Sequence, residues 1–521
     1  MAAPGQPGQP GQPGDQKPEY QHFIPQFILK NFAHKYTGSK GSKGGKKNNK
    51  NKKKKAKDQD TLHFGEPVVN NVDLRAVPFV IEEAKVKRVL GRYDMYQDKA
   101  QQGPHQREIE SLLGKLESQV GIIFRKIIKA FEDKKPDLWL DRVEMNTVRK
   151  FIFIQKYRNT TFYRRFNHDS PDEYVANDAE PLRAYMDSTN TKRPIDVWFQ
   201  GLKAIIELDL TKEGWQEELH NRMFHYDARW FIANFQFMYM AICTPSNQDA
   251  EFILTDNSHS IFEGPNFFVE DPFTGETHED AWTNFHEFCP VSPKLMIVLR
   301  SFLLPVPEED EDPEIASFRE ELRKSCVDDA YGAPKPSLLA DLPITKARNN
   351  YSEIVNGRVQ LLPGEFGDGS LHHKFCLRFF PIEMEHVNMI NHFMFDNAYL
   401  DSSIVFGTYE AFFRTLEWYM TVPCKYGKVI TGDSLEERRR LMVNLAALAK
   451  SLGSDKEPVW RDVEGSPLTQ SQKMFLLALL STPDTRDKTN PIPQVSELSE
   501  LCSCDGKIIR DVAYRPEVLH L

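Results

Sequence analysis

The sequence predicts a mainly α-helical fold: a large helical domain with a small antiparallel β-sheet inserted near its middle. Three observations lead there. Apolar residues recur at helical spacing through most of residues 80–245. Three short apolar runs, at 251–255, 294–301 and 374–380, carry the strand pattern. Helical periodicity then returns at 383–398, 409–420, 435–452 and 469–481.

In chain order, residues 1–19 read as a disordered tail with three GQP repeats and nothing to bury. Residues 20–34 hold the run YQHFIPQFILKNF. Lying between two low-complexity stretches, this segment is ordered only if it docks on the body, which points to Phe23, Ile24, Phe27, Ile28, Leu29 and Phe32. Residues 35–60 form a Lys-rich insert, with eleven Lys between Lys35 and Lys57. Like charges repel and Gly and Asn hold no regular structure, so disorder is expected there.

The main helical domain is expected over residues 61–425. In 106–131 the apolar positions form one wide stripe, with Glu108, Glu110, Glu117 and Lys129 on the other face. A second helix is expected over 142–165, around Val148, Phe151, Ile152 and Ile154. Residues 198–208, 215–223 and 228–243 follow. The last is apolar nearly all round and reads as a central buried helix. The run EFILT at 251–255 ends in the turn cluster Asp256-Asn257-Ser258. With KLMIVLRS and KFCLRFF it makes the expected small sheet. After a break at 423–427, residues 426–521 read as a helical C-terminal extension.

The net charge of −9 hides two opposed parts. Residues 1–60 carry +9 and the remainder −18. An acidic body argues against broad nucleic-acid binding by the folded part. An aromatic content of 11 % excludes a wholly disordered chain. The seven Cys are scattered, and the one close pair, Cys502 and Cys504, has the wrong spacing for zinc. Reduced thiols, the lack of an apolar leader and the lack of any run of roughly 18 apolar residues predict a soluble cytoplasmic and/or nuclear protein. Secretion and membrane insertion are not expected.

Several stretches together resemble a known family. Residues 21–32, QHFIPQFILKNF, resemble the H-x-[IV]-P-x-x-[YF]-L-x-x-F signature of the Domain of Unknown Function 4238 family. Residues 153–160, FIQKYRNT, resemble its Q-x-x-R-[TN] helix, and 252–258, FILTDNS, its F-[IL]-T-S-D-N-P strand and turn. Residues 289–298 resemble its P-L-S-P strand, and 391–404 its terminal N-x(n)-A-x-x-I helix. Ser258 stands where the pattern has Pro. The resemblance implies an architecture and a set of polar residues, and no reaction.

Five of these polar residues are the candidate site: His22, Gln155, Arg158, Asp256 and Asn257. Gln155 and Arg158 lie three apart on one helix face. If the five converge in one pocket, His22 would serve as acid or base, Arg158 as an anion clamp and Asp256 as the group orienting His22 or a metal. That set suits the binding or hydrolysis of a phosphate ester or nucleic acid. The alternative is a non-catalytic interaction or scaffold protein. In it, His22 and Arg158 bond Asp256 in a buried structural network. No metal site is expected, because the spacings His220/His225 and His386/His392 share no helical face, and His372 and His373 should point opposite ways. No cofactor is indicated. Within the Lys-rich insert, Lys46, Lys47, Lys52, Lys53, Lys54 and Lys55 could contact a nuclear-import receptor or nucleic acid. No aromatic is interleaved there for base stacking.

Overall fold

The structure is a computed structural model. It describes residues 20–38, 61–96, 107–176, 178–270, 277–329, 334–365, 370–398, 402–424, 427–430 and 435–462. The GQP tail, nearly all of the Lys-rich insert with its six candidate lysines, the expected helix at 469–481 and the Cys502–Cys504 pair lie outside these residues.

The chain opens with β1 (Tyr20–His22), α1 (Gln26–Asn31), β2 (His34–Lys35), β3 (Pro67–Asp73), β4 (Val80–Lys85) and β5 (Gly91–Tyr93). A mostly helical stretch follows: α2 (Glu108–Glu132), β6 (Asp137–Asp141), α3 (Arg142–Tyr157), α4 (Thr160–Phe166), α5 (Ala179–Thr189), α6 (Pro194–Glu207), α7 (Trp215–Arg222) and α8 (His225–Gln236). Strands β7 (Met238–Pro245), β8 (Leu254–Thr255), β9 (Phe262–Glu263), β10 (Asn266–Glu270), β11 (Thr277–Trp282), β12 (His286–Ser292) and β13 (Leu295–Ser301) come next. After α9 (Pro313–Arg323) come β14 (Arg348–Asn349), β15 (Ser352–Val355), β16 (Arg358–Leu361) and β17 (Lys374–Ile382). The described chain closes with α10 (Met384–Asp396), β18 (Ser403–Phe406), α11 (Tyr409–Thr421), β19 (Val429–Ile430), α12 (Leu435–Ser451) and β20 (Arg461–Asp462).

This is a mixed α/β fold, which corrects the mainly helical expectation. A seven-stranded sheet runs β14-β17-β7-β13-β12-β9, with β6 also paired to β17. The sheet is not purely antiparallel, because β17 and β7 run parallel (Phe379 opposite Ile242). A second sheet of five strands runs β2-β3-β18-β8, with β4 on β3. Helices cover both faces of the larger sheet. Met238, Met240 and Ile242 of β7 join the core formed with α1 to α8, while Ala241 and Cys243 join the core formed with α10 to α12.

That division explains the largest misreading. Residues 228–243 were expected as one buried helix. Instead α8 ends at Gln236 and β7 begins at Met238. A strand buried on both faces loses its alternation and cannot be told from a buried helix by period. The switch is fixed by Arg149 of α3, whose guanidinium collects the carbonyls of Asn234 (3.1 Å) and Met238 (2.7 Å). Each large aliphatic side chain buried here contributes roughly 1.5–3 kcal/mol.

The expected 142–165 helix is two helices. A capping box starts α3, with Glu144 N donating to Asp141 Oδ1 (2.8 Å) and Asp141 N donating to Glu144 Oε2 (3.0 Å). The helix stops at Arg158, and Asn159 caps α4 by accepting from Phe162 N (2.9 Å). Likewise, residues 391–404 are not one helix: Asn391 lies on α10 and Ile404 on β18.

Phe23, Ile24, Ile28, Leu29 and Phe32 are buried, and Phe27 packs edge-on against Phe124 of α2. β1 pairs with β5, placing His22 opposite Gly91. This ribbon, the α3–α4 corner and the turn after β8 frame the polar region described next.

Candidate functional site

The site is built on a corner. The Asn159 side chain caps α4 with its oxygen and donates its amide to Asn257 Oδ1 (3.3 Å) and to Ser260 Oγ. The turn at 256–260 is thereby fastened to the break between α3 and α4. Ser258 closes the same turn from inside. Its buried hydroxyl accepts from Thr255 N (2.6 Å), supplying a constraint where the family pattern has Pro.

The five candidates do not meet in one open pocket. Arg158 is 1 % exposed, with Nη1 at 2.7 Å from Glu117 Oε1 and Nη2 donating to Gln155 Oε1 at 3.2 Å. Gln155 is also buried, and its Nε2 has no partner among the described residues. His22 Nδ1 lies 3.1 Å from Val89 O, so that nitrogen carries the hydrogen and donates. Burial, with the Arg158 cation adding to it, pushes the His22 pKa down to about 4, so the ring is neutral at pH 7. Among the described residues, neither His22 nor Arg158 bonds Asp256. Glu117 of α2, and not Asp256, takes the Arg158 charge.

His259 was missed by sequence reasoning, although it lies in the same turn as Asp256. It is 1 % exposed, and neither ring nitrogen has a partner among the described residues. Burial and then the Arg158 cation push its pKa down to about 3. It is a neutral ring packed edge-on to Phe151.

On the outer side of the turn, Asp256 lines a cavity of about 210 Å³, the one candidate of the five to do so. The other walls are Tyr20 and Phe23 of the first segment, residues 88–92, Arg75, Arg164, Ser402 and Ser403. Four arginines therefore converge there: Arg75, Arg88, Arg92 and Arg164. The backbone presents two of them through a tight turn. Leu90 has φ +51°, and a Cβ on Gly91 would stand 2.6 Å from Gln21 O. Arg92 lies over the Tyr163 ring (5.3 Å), and Arg75 pairs with Asp73 through both carboxylate oxygens (2.7 and 3.1 Å). No sequence motif marks these arginines. They are spread from residue 75 to 164; the β1–β5 pairing sets Arg92 opposite Gln21, and the β3–β18 pairing sets Asp73, the partner of Arg75, opposite Ser403.

A second titratable group is Glu365, His372 and His373. The two rings do not point apart as expected, because both precede β17 in a turn and reach the same carboxylate (3.3 and 3.1 Å). Arg142 Nη2 donates to His373 Nδ1 (2.8 Å), so the ring hydrogen sits on Nε2 and donates to Glu365. A metal-ligating His donates from its far nitrogen, usually to a carboxylate. Here that polarity is reversed, and the group is a hydrogen-bond relay from Arg142 to Glu365. Among the described residues no helix is long and apolar enough to cross a membrane.

A model of the family described as "Protein of unknown function (DUF4238)" matches residues 20–410. No curated protein and no solved structure matches the chain.

Proposed function

We propose that this chain, which belongs to the DUF4238 family, binds a small phosphate-bearing ligand in the arginine-lined cavity. The observation that carries this reading is the convergence of Arg75, Arg88, Arg92 and Arg164 on one cavity of about 210 Å³. Asp73 pairs with Arg75, and Asp256 lines the same cavity. Guanidinium groups match phosphate oxygens in charge and in forked geometry. The cavity is below the roughly 300 Å³ where drug-sized sites begin, which favours a compact ligand over a polymer. The reading includes no reaction.

Calorimetric titration with inorganic phosphate tests it. Saturable binding is expected, with affinity falling about tenfold in Arg92→Ala, the loss of one charge-assisted hydrogen bond. Arg92 is exposed, so its removal leaves the fold intact. Absence of saturable binding at millimolar phosphate overturns the reading.

A cytoplasmic or nuclear location, with Lys46, Lys47, Lys52, Lys53, Lys54 and Lys55 contacting an import receptor or nucleic acid, is proposed from composition. Deleting residues 38–58 should then shift the protein out of the nucleus; an unchanged distribution removes the import reading.

A further inference from the structure

We infer that Ser370 is a nucleophile activated by His372, in a surface site that takes the acyl group of small carboxylic esters. This site is separate from the arginine-lined cavity and does not rest on phosphate binding.

The hydrogen positions follow from the contacts. Glu365 is an acceptor, and the hydrogen bond from His373 holds its carboxyl below the usual carboxylate range. Both histidines reach it through Nε2, His372 at 3.3 Å to Oε1 and His373 at 3.1 Å to Oε2. Each neutral ring therefore carries its hydrogen on Nε2. That leaves the lone pair of His372 on Nδ1, and Ser370 Oγ lies 2.5 Å from it. The hydroxyl donates to the ring, so nucleophile and base are in contact and a carboxylate orients the base. This is the geometry that activates a serine. The imidazole is turned over relative to the usual serine triad, with Nδ1 on the hydroxyl and Nε2 on the carboxylate. The two nitrogens exchange places, and the direction of proton transfer is unchanged.

The surroundings hold these groups in register. His373 N donates to Ser370 O (3.1 Å), which closes the turn. Asn350 accepts from Lys374 N (2.7 Å) and donates to His372 O (3.3 Å). The His373 ring is sealed from solvent, stacked on Tyr351 (3.9 Å) and bonded by Arg142, and so fixes the second oxygen of Glu365. The His372 side chain is 64 % exposed and Ser370 is half-buried, so an ester reaches the hydroxyl from solvent. Ser370 Oγ attacks the ester carbonyl carbon as its proton passes to His372 Nδ1. The bond from that carbon to the alcohol oxygen then breaks, and the leaving alkoxide takes the proton from Nδ1. Water, giving a proton to the same nitrogen, attacks the acyl-serine. The carboxylic acid leaves, and the proton returns to Ser370 Oγ.

Treatment of the full chain with an alkyl fluorophosphonate, followed by peptide mass spectrometry, tests this. Oγ displaces fluoride from phosphorus, and Nδ1 takes the hydroxyl proton. A phosphonyl group on Ser370 is expected, formed at least about a hundredfold more slowly in His372→Ala, the loss of a general base. Glu365→Gln removes the charge that favours the imidazolium, so the half-maximal pH of labelling should move down. Hydrolysis of p-nitrophenyl acetate should drop in Ser370→Ala. A hydrogen bond that only braces the turn gives no adduct on Ser370, or one whose rate His372→Ala leaves unchanged. Either result overturns the inference. So does a pH profile unmoved by Glu365→Gln, or ester hydrolysis equal in wild type and Ser370→Ala. The wild-type adduct is read without any variant, so the test stands even where a replacement disturbs the turn.

Discussion

Arg158 and Glu117 form an ion pair whose two members differ sharply in access to water, and this asymmetry makes a quantitative prediction. The Arg158 side chain is 1 % exposed and that of Glu117 is 27 % exposed. Glu117→Met strands a cation that cannot rehydrate. Removing one partner of a buried pair costs about 3–5 kcal/mol. The partial exposure of Glu117 places the loss near the lower end, about 3 kcal/mol. Arg158→Met leaves a carboxylate that can turn to solvent. Its cost is then the loss of the bond to Gln155 Oε1 and of the contact over the Tyr96 ring (6.0 Å), about 1–2 kcal/mol. Urea unfolding followed by tryptophan fluorescence and by far-ultraviolet circular dichroism measures both. At a urea slope of about 3 kcal/mol/M, Glu117→Met lowers the midpoint by about 1 M and Arg158→Met by about 0.3–0.7 M. Arg158→Met should also leave phosphate titration unchanged. An Arg158→Met loss equal to or larger than that of Glu117→Met would refute the reasoning, since the buried cation would then not be the costly group.

Three further outcomes follow from buried groups. His259→Phe should leave stability unchanged or raise it by about 1 kcal/mol at pH 7, because an unpartnered buried polar ring is replaced by an apolar one; a loss above about 2 kcal/mol in urea unfolding would contradict this. His259 titrates at about 3 when folded, below its usual 6.5, so the unfolded chain binds the extra proton. Its contribution is present above pH 6.5 and is lost as pH falls toward 3, and stability–pH curves should show the wild type falling relative to His259→Phe by up to about 1.4 kcal/mol per unit. Asp227 has the opposite sign: burial raises its pKa to about 6, with Tyr157 OH donating to Oδ2 at 2.7 Å. The folded state holds the extra proton, stability falls as pH rises from about 4 to 6, and Asp227→Asn should flatten that slope; an unaltered slope rules the assignment out. In the sealed Lys156–Glu287 pair, with side chains 4 % and 0 % exposed, Lys156→Met alone should cost about 3–5 kcal/mol, and adding Glu287→Leu should recover part of the loss. A double-mutant cycle that sums without coupling would mean the pair is not the interaction being broken.

The helices that could be read from the sequence are those with one solvent face. In α2, α6, α10 and α11 the polar side of the stripe is visible in the residue order. What escaped was structure whose pattern is erased by burial or carried by polar residues. β7 is apolar on both faces. β3 reads PVVNNVD, and its buried Asn70 and Asn71 hide a strand, although Asn70 Nδ2 donates to Gly407 O (2.6 Å) and is satisfied there. β6 reads DLWLD between two helices, too short to stand out from them. The polar segments could be found one at a time, since His22, Gln155, Arg158, Asp256 and Asn257 lie in recognisable motifs. Their partners could not. Glu117 sits on the polar face of α2 and looks solvated in the sequence. Arg75, Arg92, Arg164 and Ser402 belong to separate segments, and only tertiary packing brings them to one cavity.

This separation between motif residues and cavity residues has a physical reason. Nearly every motif side chain is used to fasten one element to another. Asn31 Nδ2 ties α1 to Val291 O (2.8 Å), and Asn159 ties the α3–α4 corner to Asn257 and Ser260. Asn391 holds the lead-in to β8 by accepting from Ile253 N (3.1 Å) and donating to Glu251 O (2.8 Å). Asn159 and Asn391 are buried, and their side chains are taken up by these bonds. Asp256, itself buried, sits at the edge of the turn that these fasteners hold, with the turn's inner side at Asn159 and its outer side at the cavity. The motifs therefore fix where the wall stands, and the arginines outside them give it its charge. On that division, changes at Asn159 or Asn391 act on stability. The phosphate proposal expects a change at Arg92 to act on ligand affinity and to leave stability unchanged.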